Sequence, residues 1–65
     1  MPGKMAKAIR ARRAAKGWTQ EELAKRLKVD QSYVTLLEQG KRTPSLATLR
    51  RLAKALGVPL TELLG

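Results

Sequence analysis

Apolar residues recur along the chain at steps of three and four, with turn-forming residues between the runs, a pattern that predicts five short helices. No stretch alternates at a period of two long enough to make a strand. The first predicted helix covers about Lys4 to Lys16, behind a loose tail of Pro2 and Gly3. It holds Ala at five positions, sets Met5 and Ile9 one turn apart, and stops at Gly17, which suits a left-handed cap. Thr19 and Glu22, just after the apolar Trp18, have capping-box spacing. They start a second helix that turns Leu23, Ala24 and Leu27 inward and ends after about Leu27. A turn of only Lys28 and Val29 follows, with Asp30 placed to cap a third helix from Gln31 to about Gln39. Val34 and Leu37 face inward there, and Gly40 is the stop. Two helices joined by so short a turn must cross steeply. Beyond the loop of Lys41, Arg42, Thr43 and Pro44, either Ser45 or Thr43 caps a fourth helix, whose stripe is Leu46, Leu49, Leu52, Ala53 and Leu56 and whose stop is Gly57. Pro59 opens a last turn or two holding Leu60, Leu63 and Leu64. The expected fold is an all-α, compact five-helix bundle, one domain over residues 1–65.

Composition narrows the chemistry. The chain has 14 Lys and Arg against 5 Asp and Glu, a net charge of +9, and neither His nor Cys. The usual zinc ligands, thiol nucleophiles and near-neutral proton shuttles are missing, so no enzyme activity, no metal and no cofactor is expected. Uncharged runs such as Thr43 to Leu49 are far shorter than the ~20 residues of a membrane span, and the N-terminus lacks a signal-peptide core, so a cytoplasmic, non-exported protein is expected. An excess of positive charge on so small a body points to a polyanion, nucleic acid first and an anionic membrane surface second. The charge is uneven: residues 1–16 carry +6, residues 17–40 carry −1 and residues 41–65 carry +4. A nearly neutral helix pair is flanked by strongly basic segments.

That central stretch, residues 20–39, has Leu23, Ala24, Leu27, Val29, Val34 and Leu37 at the spacing needed to clamp two helices across a tight corner. Ala24 is small enough for close approach. An ordinary amphipathic hairpin would satisfy the same apolar spacing. More specific is the order of four motifs: Trp18-Thr-Gln-Glu-Glu-Leu-Ala, Val29-Asp-Gln-Ser-Tyr-Val, Glu38-Gln-Gly-Lys-Arg-Thr-Pro-Ser-Leu and Leu52-Ala-Lys-Ala-Leu-Gly-Val. In that order and at those separations the chain resembles the phage Cro and repressor type of helix-turn-helix domain, over about residues 5–64. The resemblance implies a lambda-repressor-like DNA-binding bundle whose third helix enters the major groove of double-stranded DNA while the start of the second abuts the backbone.

The same resemblance assigns roles. Gln31 takes the first recognition position, where an amide pairs with the N6 and N7 edge of adenine; a solvated Gln is the alternative. Ser32 reaches a base or a phosphate, and Thr35, one turn after Gln31, offers a methyl and a hydroxyl; either is otherwise a plain exposed polar residue. Leu36 departs from the polar or basic residue frequent in the family: it packs on thymine methyls or widens the core contact. Tyr33 is placed for phosphate or sugar. Gln20, at the first position of the second helix, corresponds to a phosphate-binding residue that also braces the Gln at the recognition-helix start. Lys41, Arg42, Thr43 and Ser45 resemble a second phosphate clamp, which fixes register without reading sequence. Arg13 and Glu38 match an internal ion pair. Lys4, Lys7 and Arg10 supply either a diffuse field or a solubilising face. Two departures stand out: Lys28 occupies a turn position where the family often has Gly, at a strain cost if left-handed, and Pro59 replaces a Ser or Thr cap.

The leading expectation is sequence-specific binding of double-stranded DNA by a transcriptional regulator acting through occupancy, in the bacterial or phage cytoplasm and at the nucleoid. Leu60, Leu63 and Leu64 are the one evident candidate for a dimer contact, so a monomer or weak homodimer is expected. A basic membrane-surface or non-specific nucleic-acid-binding protein is the alternative, and the membrane reading would need exposed apolar faces that the bundle core claims. An RNA binder is disfavoured because Trp18 and Tyr33 are few stacking rings.

Overall fold

The computed structural model describes residues 3–64. Five helices follow in order: α1 (Lys4–Ala15), α2 (Gln20–Leu27), α3 (Gln31–Glu38), α4 (Leu46–Leu56) and α5 (Leu60–Leu64). Their apolar stripes converge on one core, in which Ile9, Leu23, Leu27, Val34, Leu37, Leu52 and Leu63 are all at most 1% exposed. Every helix contributes at least one of these side chains, and each contributes about 1.5–3 kcal/mol by leaving water. The most extensive contact is between α2 and α3, where Ala24 is buried and lets the backbones approach. Around this pair α1 packs on α3, α4 and α5, and α4 packs on α2 and α5.

The first four helices end alike. Gly17, Lys28, Gly40 and Gly57 have φ of 75°, 59°, 73° and 70°. In each case the next amide donates to the carbonyl five residues back: Trp18 to Arg13, Val29 to Ala24, Lys41 to Leu36 and Val58 to Ala53, at 3.0–3.3 Å. This is the Schellman arrangement, and it turns Val29 and Val58 onto the core. Glycine suits the left-handed residue because it has no Cβ to crowd the following carbonyl. Lys28 does have one, so α2 ends at a strain of about 1–2 kcal/mol.

The starts are less uniform. The α2 capping box is complete, with Thr19 Oγ1 accepting from the Glu22 amide and Glu22 Oε1 accepting from the Thr19 amide, both at 3.1 Å. Ser45, rather than Thr43, caps α4 by accepting from the Thr48 amide at 3.2 Å. Asp30 departs from expectation: it stands at the N-cap of α3 with no side-chain cap bond. Its backbone carbonyl accepts from the Tyr33 amide at 3.1 Å, a tightened first turn that occupies the donor its carboxylate would have met. Gly3, expected in a loose tail, is the N-cap of α1 and accepts from the Lys7 amide at 3.1 Å, while Pro2 lies outside the described residues.

Leu46, predicted to face inward, and Leu64, offered as part of a dimer contact, both face out. Leu46 is 56% and Leu64 is 54% exposed. Leu46 is the first helical residue of α4, and a side chain there leans back past the end of the core. The short α5 buries one narrow face, which Leu63 fills with Leu60 half-buried beside it.

Candidate nucleic-acid interface

The third helix, α3, divides by depth. Gln31 and Ser32 at its start are exposed, Tyr33, Thr35 and Leu36 are half-buried, and Val34, Leu37 and Glu38 are buried. The anchor is Glu38, 5% exposed and the one charged residue buried among those described. Arg13 from α1 grips it with two donors, Nε to Oε2 at 2.6 Å and Nη2 to Oε1 at 3.0 Å. The third guanidinium nitrogen, Nη1, donates to the Trp18 carbonyl at 2.6 Å, tying the approach to α2 into the same cluster. Hydrogen bonding to Glu38 holds the Arg13 pKa above its ordinary value, burial opposes that rise, and the Glu38 charge adds to it. The expected ion pair is therefore present in two-pronged form, which fixes angle as well as distance.

Gln20 extends this cluster toward the exposed end of α3. Its Nε2 donates to Glu38 Oε1 at 3.1 Å, and its Oε1 accepts from Thr35 Oγ1 at 2.6 Å. The residue braced is thus Thr35, not Gln31. Thr35 Oγ1 also stands 3.2 Å from the Gln31 carbonyl, so its only proton is committed inside the protein. What Thr35 keeps for a ligand is its methyl and an acceptor lone pair, while Gln20 keeps one amide hydrogen. Among the described residues no buried side-chain nitrogen or oxygen lacks a partner, so the cluster is satisfied before any ligand arrives.

On the other flank, Lys41, Arg42, Thr43 and Ser45 are all exposed on the segment between α3 and α4. The buried Pro44 pins that segment, leaving a small cleft of about 170 Å³ against Met5, Ala6, Ile9 and Leu37. The Arg42 guanidinium lies 5.5 Å from the centre of the Tyr33 ring. A loop cation and the phenol of α3 are thereby brought together, a contact with no local sequence signal. Ser45 is engaged in its cap and also donates to Thr48 Oγ1 at 3.1 Å, so its oxygen serves α4 first. Leu36 lies half-buried between its two expected roles. Among the described residues no three acidic side chains gather where they would hold a metal ion, and no helix is long and apolar enough to cross a membrane.

A helix pair joined by a tight turn, with a polar helix start on its outer side and cations beyond it, defines a helix-turn-helix domain. The chain belongs to the helix-turn-helix family of DNA-binding transcription regulators: the family profile described as Helix-turn-helix matches residues 9–63. It is similar to the uncharacterized HTH-type transcriptional regulator y4dJ of Sinorhizobium fredii, 49% identical over 51 residues, 78% of this chain and 66% of that protein. It is also similar to the immunity repressor protein of Bacillus phage phi105, 36% identical over 63 residues, 97% of this chain and 42% of that protein. Among solved structures, the restriction-modification controller protein C.AhdI from Aeromonas hydrophila superposes with a TM-score of 0.86 at 42% identity, covering 92% of this chain and 91% of that one. The chain thus spans about two fifths to two thirds of these two relatives and nearly all of the controller protein.

Proposed function

We propose that residues 1–65 act as a single domain that binds specific sequences of double-stranded DNA with α3 in the major groove, regulating transcription by occupying its site. The observation that carries this reading is the contrast within α3: Gln31 and Ser32 stand exposed at a helix start whose other end is locked to α1 and α2 through Glu38. A base-reading side chain is only as specific as its carrier is rigid. Gln31 reads an adenine edge, Ser32 reads a neighbouring base or phosphate, and the Thr35 methyl and Leu36 meet thymine methyls. Gln20, Tyr33, Lys41, Arg42, Thr43 and Ser45 hold the backbone on either side, Gln20 with its remaining amide hydrogen and Arg42 steered by the Tyr33 ring. The role needs neither catalysis nor cofactor nor metal, and it places the protein in the cytoplasm at the nucleoid. Among the described large apolar side chains only Leu46 and Leu64 are exposed, which supports DNA over a lipid surface as the polyanion.

The test is the salt dependence of affinity for a duplex carrying the preferred site, followed by fluorescence anisotropy. Six to eight phosphate contacts give a slope of log K against log salt of about −5 to −7 for a dimer, and about half that for a monomer. An affinity nearly independent of salt would contradict the proposal.

A further inference from the structure

Away from α3 an open groove of about 470 Å³ runs between α2 and α4, lined by Trp18, Arg26, Leu27, Arg51, Lys54 and Ala55. Its floor is the half-buried Trp18 ring, with the Arg26 guanidinium stacked 4.0 Å from the ring centre and Lys16 Nζ at 5.9 Å. Lys16 reaches across toward the end of α4, since its Nζ lies 3.4 Å from where a Cβ on Gly57 would sit. Arg51 crosses the groove from α4 and donates to the Leu27 carbonyl at the end of α2. Three cations, Arg26, Arg51 and Lys54, therefore line the groove, with Lys16 beside the indole as a fourth, and no carboxylate lines it. Among the described residues the salt bridges are Arg12 with Glu62 and Arg13 with Glu38, so none of these four cations is neutralised in one.

Most of the groove lies away from the proposed DNA-facing helix starts, with Trp18 as its nearest point to Gln20. Arg26 and Leu27 end α2, about 10 Å along the helix from Gln20, and Lys54 and Ala55 lie in the last turn of α4, about 13 Å from its Ser45 start. The starts of α2 and α4 carry the proposed phosphate contacts, whereas the groove takes Arg26, Leu27, Lys54 and Ala55 from their far ends, Arg51 from the middle of α4 and Trp18 from the segment that leads into α2. A DNA backbone offers phosphates but no apolar group to fill a concave floor of indole, Leu27 and Ala55. An acidic peptide segment bearing Leu or Phe offers both, its carboxylates meeting Arg26 and Lys54 and its apolar side chain packing beside Trp18.

We propose that the groove between the far ends of α2 and α4 is a docking site for an acidic, apolar-bearing segment of a partner protein, accessible while α3 is on DNA. Trp18 is the chain's one tryptophan, so it reports its own occupancy. The probe is a short amidated peptide of Asp and Glu interspersed with Leu and Phe, titrated into the full chain while Trp18 emission is followed. A saturable change is expected, and a Glu-only peptide of equal length should bind at least about tenfold more weakly. Reversal of Arg26→Glu with Lys54→Glu should weaken the peptide by about tenfold or more, whereas Lys4→Glu with Lys7→Glu, which removes the same charge from exposed α1, should keep it within about threefold. Circular dichroism melts establish that both variants fold, and the peptide should still bind the protein saturated with duplex DNA. Four results would each overturn the proposal: no saturable change, equal binding of the Glu-only peptide, equal loss in the two double variants, or displacement of the peptide by duplex. The last would mean that the groove belongs to the phosphate-binding surface.

Discussion

Two adjacent arginines on α1 each pair with a distant carboxylate, and their surroundings make them different objects. Arg12 meets Glu62 of α5 at 2.8 Å, with the side chains 44% and 47% exposed. Arg13 meets Glu38 of α3 at 2.6 Å, with the side chains 14% and 3% exposed. Water and salt screen the first pair, and exposed pairs of this kind contribute roughly 0.2–1 kcal/mol. The second was taken out of water on folding, so its attraction is set against a desolvation cost, and losing one partner strands the other. Charge complementarity alone says little about importance. What separates the two pairs is that Glu38 also receives Gln20, and through Gln20 holds Thr35, so the inner pair reaches the outward side of α3, the helix proposed to face DNA.

That contrast can be broken at its strong end first. Arg13→Ala should destabilise by about 3–5 kcal/mol, a large share of the roughly 3–10 kcal/mol available to a domain of this length. Urea unfolding should show the midpoint collapse, and a loss below about 1 kcal/mol would make the inner pair no different from the outer one. Replacing both partners, Arg13→Met with Glu38→Leu, should cost less than Arg13→Ala alone. The pH dependence has a definite sign. A guanidinium pKa raised by folding gives stability that is fully present below its ordinary value and lost only as pH rises through the raised folded value, so the difference between wild type and the Arg13→Met with Glu38→Leu variant, which leaves no ionisable group at the site, should stay constant from about pH 6 to 10.

Smaller changes sharpen the picture. Lys28→Gly should relieve the left-handed strain at the end of α2 and stabilise by about 1 kcal/mol, raising Tm by about 4–8 °C in a scanning calorimeter. Thr35→Val keeps the shape but orphans Gln20 Oε1, and should cost about 1 kcal/mol in urea unfolding while leaving the methyl contact in place. Weakest of all, Arg12→Ala should cost at most about 0.5–1 kcal/mol at low salt and still less at high salt.

How much of this was legible depended on sequence distance. The α2 capping box, the glycine stops and the seam of Leu23, Leu27, Val34 and Leu37 are local or periodic features, and the structure has them where the pattern put them. The strain at Lys28 was also readable, but only through the resemblance: the family often has Gly at this turn position, and Lys there carries a cost once the residue is left-handed. Arg12 with Glu62 and Arg51 with the Leu27 carbonyl link residues 50 and 24 positions apart, and no local rule selects one cation among many for such a contact. The commitment of the Thr35 hydroxyl escaped for a related reason: helical spacing puts Thr35 on the face of Gln31 but does not show that α2 takes its proton. Leu46 shows the limit of periodicity, since a stripe can begin in sequence before the core that it would face.

The most direct test of the central claim, that the exposed start of α3 reads bases from a locked helix, is a selection from a random duplex DNA library at roughly physiological salt, where non-specific binding is weakened. The selection should be run in parallel on the wild type and on Gln31→Ala. One short motif with an adenine at a fixed place should be enriched by the wild type, and the variant should lose preference at that place, worth about 1–3 kcal/mol, while keeping the rest of the motif. An inverted repeat about one helical turn apart would add that two copies bind together. An unenriched pool, or a motif unchanged by Gln31→Ala, would contradict direct reading by this helix start.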